Sequence, residues 1–319
     1  MRRAERLTSA AFIASVLVGG GNAIGVRLTV AELSPFWGAT LRFGAAGLVL
    51  VAIVIATRRE FPRGRRLIGA ALFGTFGFGL AYTFIYWSLR SVPAGTAQIV
   101  LSVVPLVTLL LAVVQDVERF RLRGLVGATI AGAGIVVVFL DQASLDVPIP
   151  LLIALIAAAV CIGEGNVLVK RFPPGEPVAA NAVAMLCGAS VLGALTILSG
   201  APVVLPARTE TWLAVGYLVV FGSIVLFVLT LFVLERWTAS AASYAFLLVP
   251  LVTVALAAVL LRERVGPDFL VGAGLVLVGV YVGAFSGSSV LRRPNQPARV
   301  ASDAAASPGG VRVDPDGMG

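Results

Sequence analysis

The chain contains no histidine, only two cysteines and few charges, with 13% of its 319 residues being Asp, Glu, Lys or Arg. Each scarcity excludes something. Without histidine the usual general base and the commonest metal ligand are gone. Cys161 and Cys187 both fall in the middle of apolar runs, where free cysteine behaves as a small hydrophobe, so no disulfide or thiolate metal framework is available. No G-x-x-x-x-G-K-[ST] phosphate loop occurs, which removes direct ATP drive. No cofactor or metal is expected.

What fills the space is apolar. Hydrophobic residues make up 59% of the chain and the mean hydropathy is +1.00. A soluble domain has about 25% charged residues, so this composition reads as a polytopic, all-α integral membrane protein. A bilayer core about 30 Å thick takes roughly 20 apolar residues per helix. Ten spans follow, at 8–28, 36–56, 67–87, 94–114, 124–140, 149–169, 178–199, 211–234, 239–261 and 267–286. Residues 1–7 are a short basic lead, and the Pro/Gly/Ser-rich stretch 287–319 reads as a disordered tail.

The net charge of +8 does not point to nucleic acid, because its position tells a different story. With the N-terminus cytoplasmic, the inward-facing segments hold 18 of the Lys and Arg residues and the outward-facing ones hold 5, with Arg42 inside a span. Short-loop Lys and Arg set orientation, so both termini are expected in the cytoplasm and the protein in the cytoplasmic membrane. The loop at 57–66, TRREFPRGRR, is the strongest inward marker.

The spans are organised around an internal duplication. Residues 94–138 recur 145 residues later, without a gap, at 239–283 with 18 identities in 45. They include Val104-Pro105-Leu106-Val107-Thr108 against Val249-Pro250-Leu251-Val252-Thr253, Glu118-Arg119 against Glu263-Arg264, and Gly127 and Gly134 against Gly272 and Gly279. Upstream, Gly19, Gly21, Asn22 and Arg27 meet Gly163, Gly165, Asn166 and Arg171. The chain divides into halves at 8–141 and 149–286. Five spans per half is an odd number, so the second copy enters the membrane upside down.

Polar residues inside spans are the candidates for function. Asn22 needs a partner at mid-membrane, in a cavity or on a neighbouring helix. Arg42 lies about 9 Å deep. It is either functional, in a structural ion pair, or snorkelling to the surface. Phe78, Tyr82 and Tyr86 share one helix face, as packing or as a substrate wall. Pro105 and Pro250 free the carbonyls of Leu101 and Phe246 at matched positions. Gln98, Ser102, Ser243 and Tyr244 lie nearby and are expected to share an aqueous cavity with Asn22 and Tyr82. Glu164, with Asn166 two residues on, is the acidic residue well inside a span. It either carries a proton as coupling ion, contacts a cationic substrate, or only hydrogen-bonds Asn166 or a neighbouring helix.

These residues resemble the drug/metabolite transporter superfamily, in its form with two EamA-type domains. The likeness rests on Pro105 and Pro250, Glu118 and Glu263, the glycine pairs Gly127/Gly134 and Gly272/Gly279, and Arg42. The first-half loop departs from the pattern in its Asp116-Val117-Glu118. The resemblance implies ten helices in two inverted repeats and a substrate in a central cavity lined by spans one, three, four, six, eight and nine.

The expected function is a secondary transporter moving a small organic metabolite or drug-like solute by alternating access, in the direction of export. A membrane-embedded enzyme on lipid-linked substrates is the alternative. It would need a clustered acid/base or metal constellation near an interface. A non-transporting scaffold would need neither matched prolines nor intramembrane polar groups.

Overall fold

The computed structural model describes residues 2–89, 91–92, 94–140, 147–173, 175–260 and 267–285. Arg90, the loop carrying Arg262, Glu263 and Arg264, and the tail 287–319 lie outside the described residues. Within them, nine helical spans are long and apolar enough to cross a bilayer: Glu5–Val30, Pro35–Ala56, Arg65–Ser88, Thr96–Val114, Ile149–Arg171, Pro177–Leu198, Thr209–Arg236, Ala239–Leu256 and Pro267–Ala284. A shorter apolar helix, Leu122–Val138, stands fifth in chain order and completes ten. The protein is an all-helical, multi-pass membrane protein of two five-helix repeats.

Local chemistry sets the ends. Pro35 and Pro177 open their helices, where a fixed φ is suited and the missing N–H is no loss. The Glu176 carboxylate accepts the Ala179 amide at 2.7 Å and caps the seventh span. That span ends in a left-handed Gly200, with φ of 66°, and amide bonds from Gly200 to Ile197 O and from Ala201 to Thr196 O. This reversal satisfies the last carbonyls. Spans two and four end in the same way, but with Arg58 (φ 52°) and Asp116 (φ 57°) in the left-handed position.

Packing repeats the duplication. Span two lies along span seven and span five along span ten, each beside its own counterpart. Span one packs on span eight as span six packs on span three, and span nine touches span one as span four touches span six. Spans five and ten approach backbone to backbone. A methyl group built on Gly134 would stand 2.7 Å from Gly272 O, and one on Gly272 2.6 Å from Gly134 O. Gly127 and Gly279 exchange places in the same way, at 2.6 Å in each direction. The four glycines of the duplicated motif are there because nothing larger fits at this crossing.

The helices are interrupted where the halves meet. The first span breaks at Gly21 between helices Arg2–Gly20 and Asn22–Val30. The fourth breaks at 102–103, between Ala94–Leu101 and Val104–Val114, so Pro105 sits in the first turn of a new helix rather than kinking a continuous one. Pro250 instead lies inside helix Ala245–Leu260, and the ninth span breaks earlier, at Tyr244. Spans three and eight each carry a six-residue π-helical segment, Thr75–Leu80 and Val220–Val225, at an offset of 145 residues.

Candidate functional site: a buried arginine and a junction between the halves

The second span delivers Arg42 to the interior, where it is 1% exposed. Its Nε donates to Ser223 Oγ at 2.8 Å and its Nη2 to the Gly222 carbonyl at 2.5 Å. Both acceptors belong to the π-helical segment of span eight. Gly222 is near the midpoint of the 28-residue span Thr209–Arg236, roughly 20 Å along it. The guanidinium therefore reaches inward and does not snorkel to the nearer surface. It lies 4.8 Å from the Phe43 ring centroid and 5.7 Å from that of Tyr82, within cation–π range. Tyr86 lies close enough to feel its charge. Among the described residues no carboxylate is within 4 Å of Arg42; the ion pairs there are Arg59–Glu176 and Arg236–Glu235.

Asn22, at the start of the helix that follows the Gly21 break, converges on the same point. Its Nδ2 donates to the Gly222 carbonyl at 3.4 Å, while its Oδ1 is buried and accepts nothing. A Cβ at position 222 would collide with that Oδ1, so any larger residue here would push the Asn22 side chain aside. An aromatic floor lies beneath, with Phe78 and Phe227 edge to face at 4.5 Å and Phe43 between them and Tyr82.

A second polar group joins the halves on the face that carries the basic 57–64 loop. The Glu118 carboxylate, in the loop after span four, accepts the Ser240 amide at 3.2 Å and the Ser240 hydroxyl at 2.5 Å. It thereby takes free donors at the start of span nine. Beside it, Gln115 Nε2 donates to Glu164 Oε2 at 2.6 Å, and Arg171 donates to Gln115 Oε1 at 3.1 Å. Lys170 stands close enough to Glu118 and Glu235 to feel both charges. Clasps further out engage both faces. Arg59 pairs with Glu176 on the basic face, and on the opposite face Glu32 accepts the Ala207 and Arg208 amides. The Thr211 hydroxyl, then the Ala207 amide, hold the Glu32 carboxyl below the usual carboxylate range.

The EamA-like transporter family matches the chain over residues 7–140 and 149–284. The protein belongs to that family. The chain is 27% identical over 261 residues to an uncharacterized transporter of Archaeoglobus fulgidus, covering 81% of this chain and 91% of that protein. It is 28% identical over 277 residues to the uncharacterized inner membrane transporter YedA of Escherichia coli K12, covering 85% and 87%. A probable amino-acid metabolite efflux pump of Salmonella typhimurium is 28% identical over 283 residues, covering 85% and 92%. A solved crystal structure superposes with a TM-score of 0.72 at 22% identity, over 87% of this chain and 96% of that one, and shares the fold.

In this EamA-like transporter the residues singled out from sequence fall into separate places. Asn22, Arg42 and Tyr82 come together at Gly222. Glu164 bonds to Gln115, from a neighbouring span, and makes no ion pair with Arg42. Asn166 is buried on the same helix. Ser102 donates to Ile99 O at 2.6 Å and Ser243 to Ser240 O at 2.7 Å, each within its own turn. Gln98 is half-buried and its carbonyl accepts the Ser102 amide at 3.0 Å. Tyr244 is 2% exposed and its hydroxyl donates to Gly124 O at 2.8 Å, stapling span nine to span five.

Three participants carry little signature in the sequence. Gly222 is one of 35 glycines, although Phe221-Gly222 repeats Phe76-Gly77 at the duplication offset. Gln115 follows its helix at a cap position and carries no pattern of its own. Ser240 shows its role only once the Glu118 loop is folded against it.

Proposed function

We propose that the protein is a secondary transporter that exports a small organic solute across the cytoplasmic membrane by alternating access, with the basic face cytoplasmic. The observation that carries the reading is the Glu118–Ser240 bond between the two halves. It closes the basic face through one carboxylate on one amide and one hydroxyl, bonds that water replaces when the halves part. Names among the relatives support the cargo and direction, including the Salmonella efflux pump and a probable terminal-alkyne amino-acid exporter of Streptantibioticus cattleyicolor, 28% identical over 256 residues. Amino acids are accordingly the first solutes to try.

The test uses Glu118→Cys with Ser240→Cys in a background lacking Cys161 and Cys187, reconstituted in liposomes loaded with tritiated L-amino acids. Efflux of at least one of them is expected to stop when the pair is oxidised and to resume on reduction. Efflux no faster than from protein-free liposomes, or unaffected by the crosslink, would overturn the reading.

A further inference from the structure

Among the described residues, Arg42 is a buried cation held only by neutral acceptors. A charged side chain within the bilayer core costs a few kcal/mol, and such residues normally pair with an opposite charge. Here the Nε and Nη2 bonds go to a hydroxyl and a carbonyl, and the guanidinium also lies over two ring faces. One fork of a guanidinium matches a carboxylate with two parallel bonds, each about twice as strong as a neutral one. The Gly222 carbonyl and Ser223 hydroxyl occupy two of its donors in this closed arrangement.

The second observation is independent of Arg42. Asn22 Oδ1 is a buried acceptor without a donor, where buried polar atoms are normally satisfied; Asn181 Oδ1 is another such amide oxygen. Asn22 Oδ1 lies against Gly222, whose carbonyl takes both the Asn22 Nδ2 and an Arg42 N–H, so Asn22 Oδ1 and Gly222 O are two acceptors at the residue that Arg42 grips. A cation donor next to two neutral acceptors is complementary to a carboxylate with an N–H or O–H donor close by. The duplication also shows that this is one seat and not two. At the offset of 145 Ser223 answers to Phe78, and at the upstream offset of 144 Arg42 answers to Leu186, so the other half has neither group.

We propose that Arg42 is the seat of the substrate carboxylate, with Asn22 Oδ1 and the Gly222 carbonyl receiving an ammonium or hydroxyl on the neighbouring carbon. The proposal rests on the transport reading above. The carboxylate exchanges places with the Gly222 and Ser223 acceptors, so Arg42 stays bonded whether the site is filled or empty. Tyr82 and Phe227, half-buried at its edge, meet the apolar remainder of the solute.

The experiment measures binding to the purified protein by thermal shift and calorimetry, with L-leucine, L-phenylalanine and benzoate, each against its primary amide, and inorganic phosphate. At least one acid is expected to raise the melting temperature where its amide does not. Arg42→Gln is expected to weaken that acid roughly 30-fold or more, and Arg42→Lys to retain part of the binding. Asn22→Ala is expected to weaken the amino acids while leaving benzoate unchanged. Amides binding as well as acids, phosphate binding better than every carboxylate, no shift from any acid, or full binding in Arg42→Gln would each overturn the proposal. If Arg42→Gln does not fold, the acid-against-amide comparison on the parent protein decides. Binding is read without transport, so failure here leaves the transport reading standing, and failed transport with intact acid binding leaves this one standing.

Discussion

Arg58 and Tyr244 show how far a residue's type foretells its role. Arg58 is a topology marker by sequence, and its charge is exposed as that role requires, yet its backbone sits at φ 52° in a helix-ending turn suited to glycine. A left-handed non-glycine residue costs roughly 1–2 kcal/mol, partly offset by the greater freedom of glycine in the unfolded chain. Arg58→Gly is therefore expected to raise stability by up to about 1 kcal/mol, read as a higher melting temperature with unchanged transport. The neighbours of Tyr244 in sequence point to a cavity; in the structure its hydroxyl donates to Gly124 O. Tyr244→Phe removes that bond and should cost about 1 kcal/mol; a melting temperature equal to the parent's would show that the bond contributes nothing. Asn22 and Arg42 were legible because polar atoms in apolar runs stand out. Gly222 was not, since a backbone carbonyl has no letter in the sequence.

At the scale of elements, composition and duplication located ten spans to within a few residues, because length in a bilayer is set by thickness. Interruptions were harder to read. Proline announces a break by chemistry, but where the helix opens depends on neighbours: span four opens before Pro105 and span nine opens at Tyr244. The π-helical segments of spans three and eight have no proline at all, and only their matched Phe-Gly pairs mark them. Such bulges often occur at functional sites, and the one in span eight presents Gly222 and Ser223 to Arg42. The crossing of spans five and ten gives a sharper expectation. Gly134→Ala places a methyl 2.7 Å from backbone atoms of Gly272 and Val276, whereas Gly274→Ala meets nothing within 4 Å. The first should lose about 1–3 kcal/mol of stability and the second should be neutral or slightly stabilised. Equal melting temperatures for the two would show that the crossing is looser than described.

For the whole molecule, the arginine imbalance predicts which face meets the cytoplasm. In a background lacking Cys161 and Cys187, Glu60→Cys should resist an impermeant maleimide on intact cells while Arg208→Cys reacts; the reverse pattern would invert the topology. The two-fold relation itself was plain from an odd number of spans in each repeat, but which contacts lie on its axis was not. Gly127 with Gly279 and Gly134 with Gly272 exchange under that symmetry and reproduce the same contact. An exchange of conformation between the halves, of the kind proposed, would turn the Glu118–Ser240 junction into a different set of bonds. It would map the glycine crossing onto itself. Spans five and ten can thus serve as an axle: a contact with one geometry in both directions of tilt, around which the other eight spans turn without its ever coming apart.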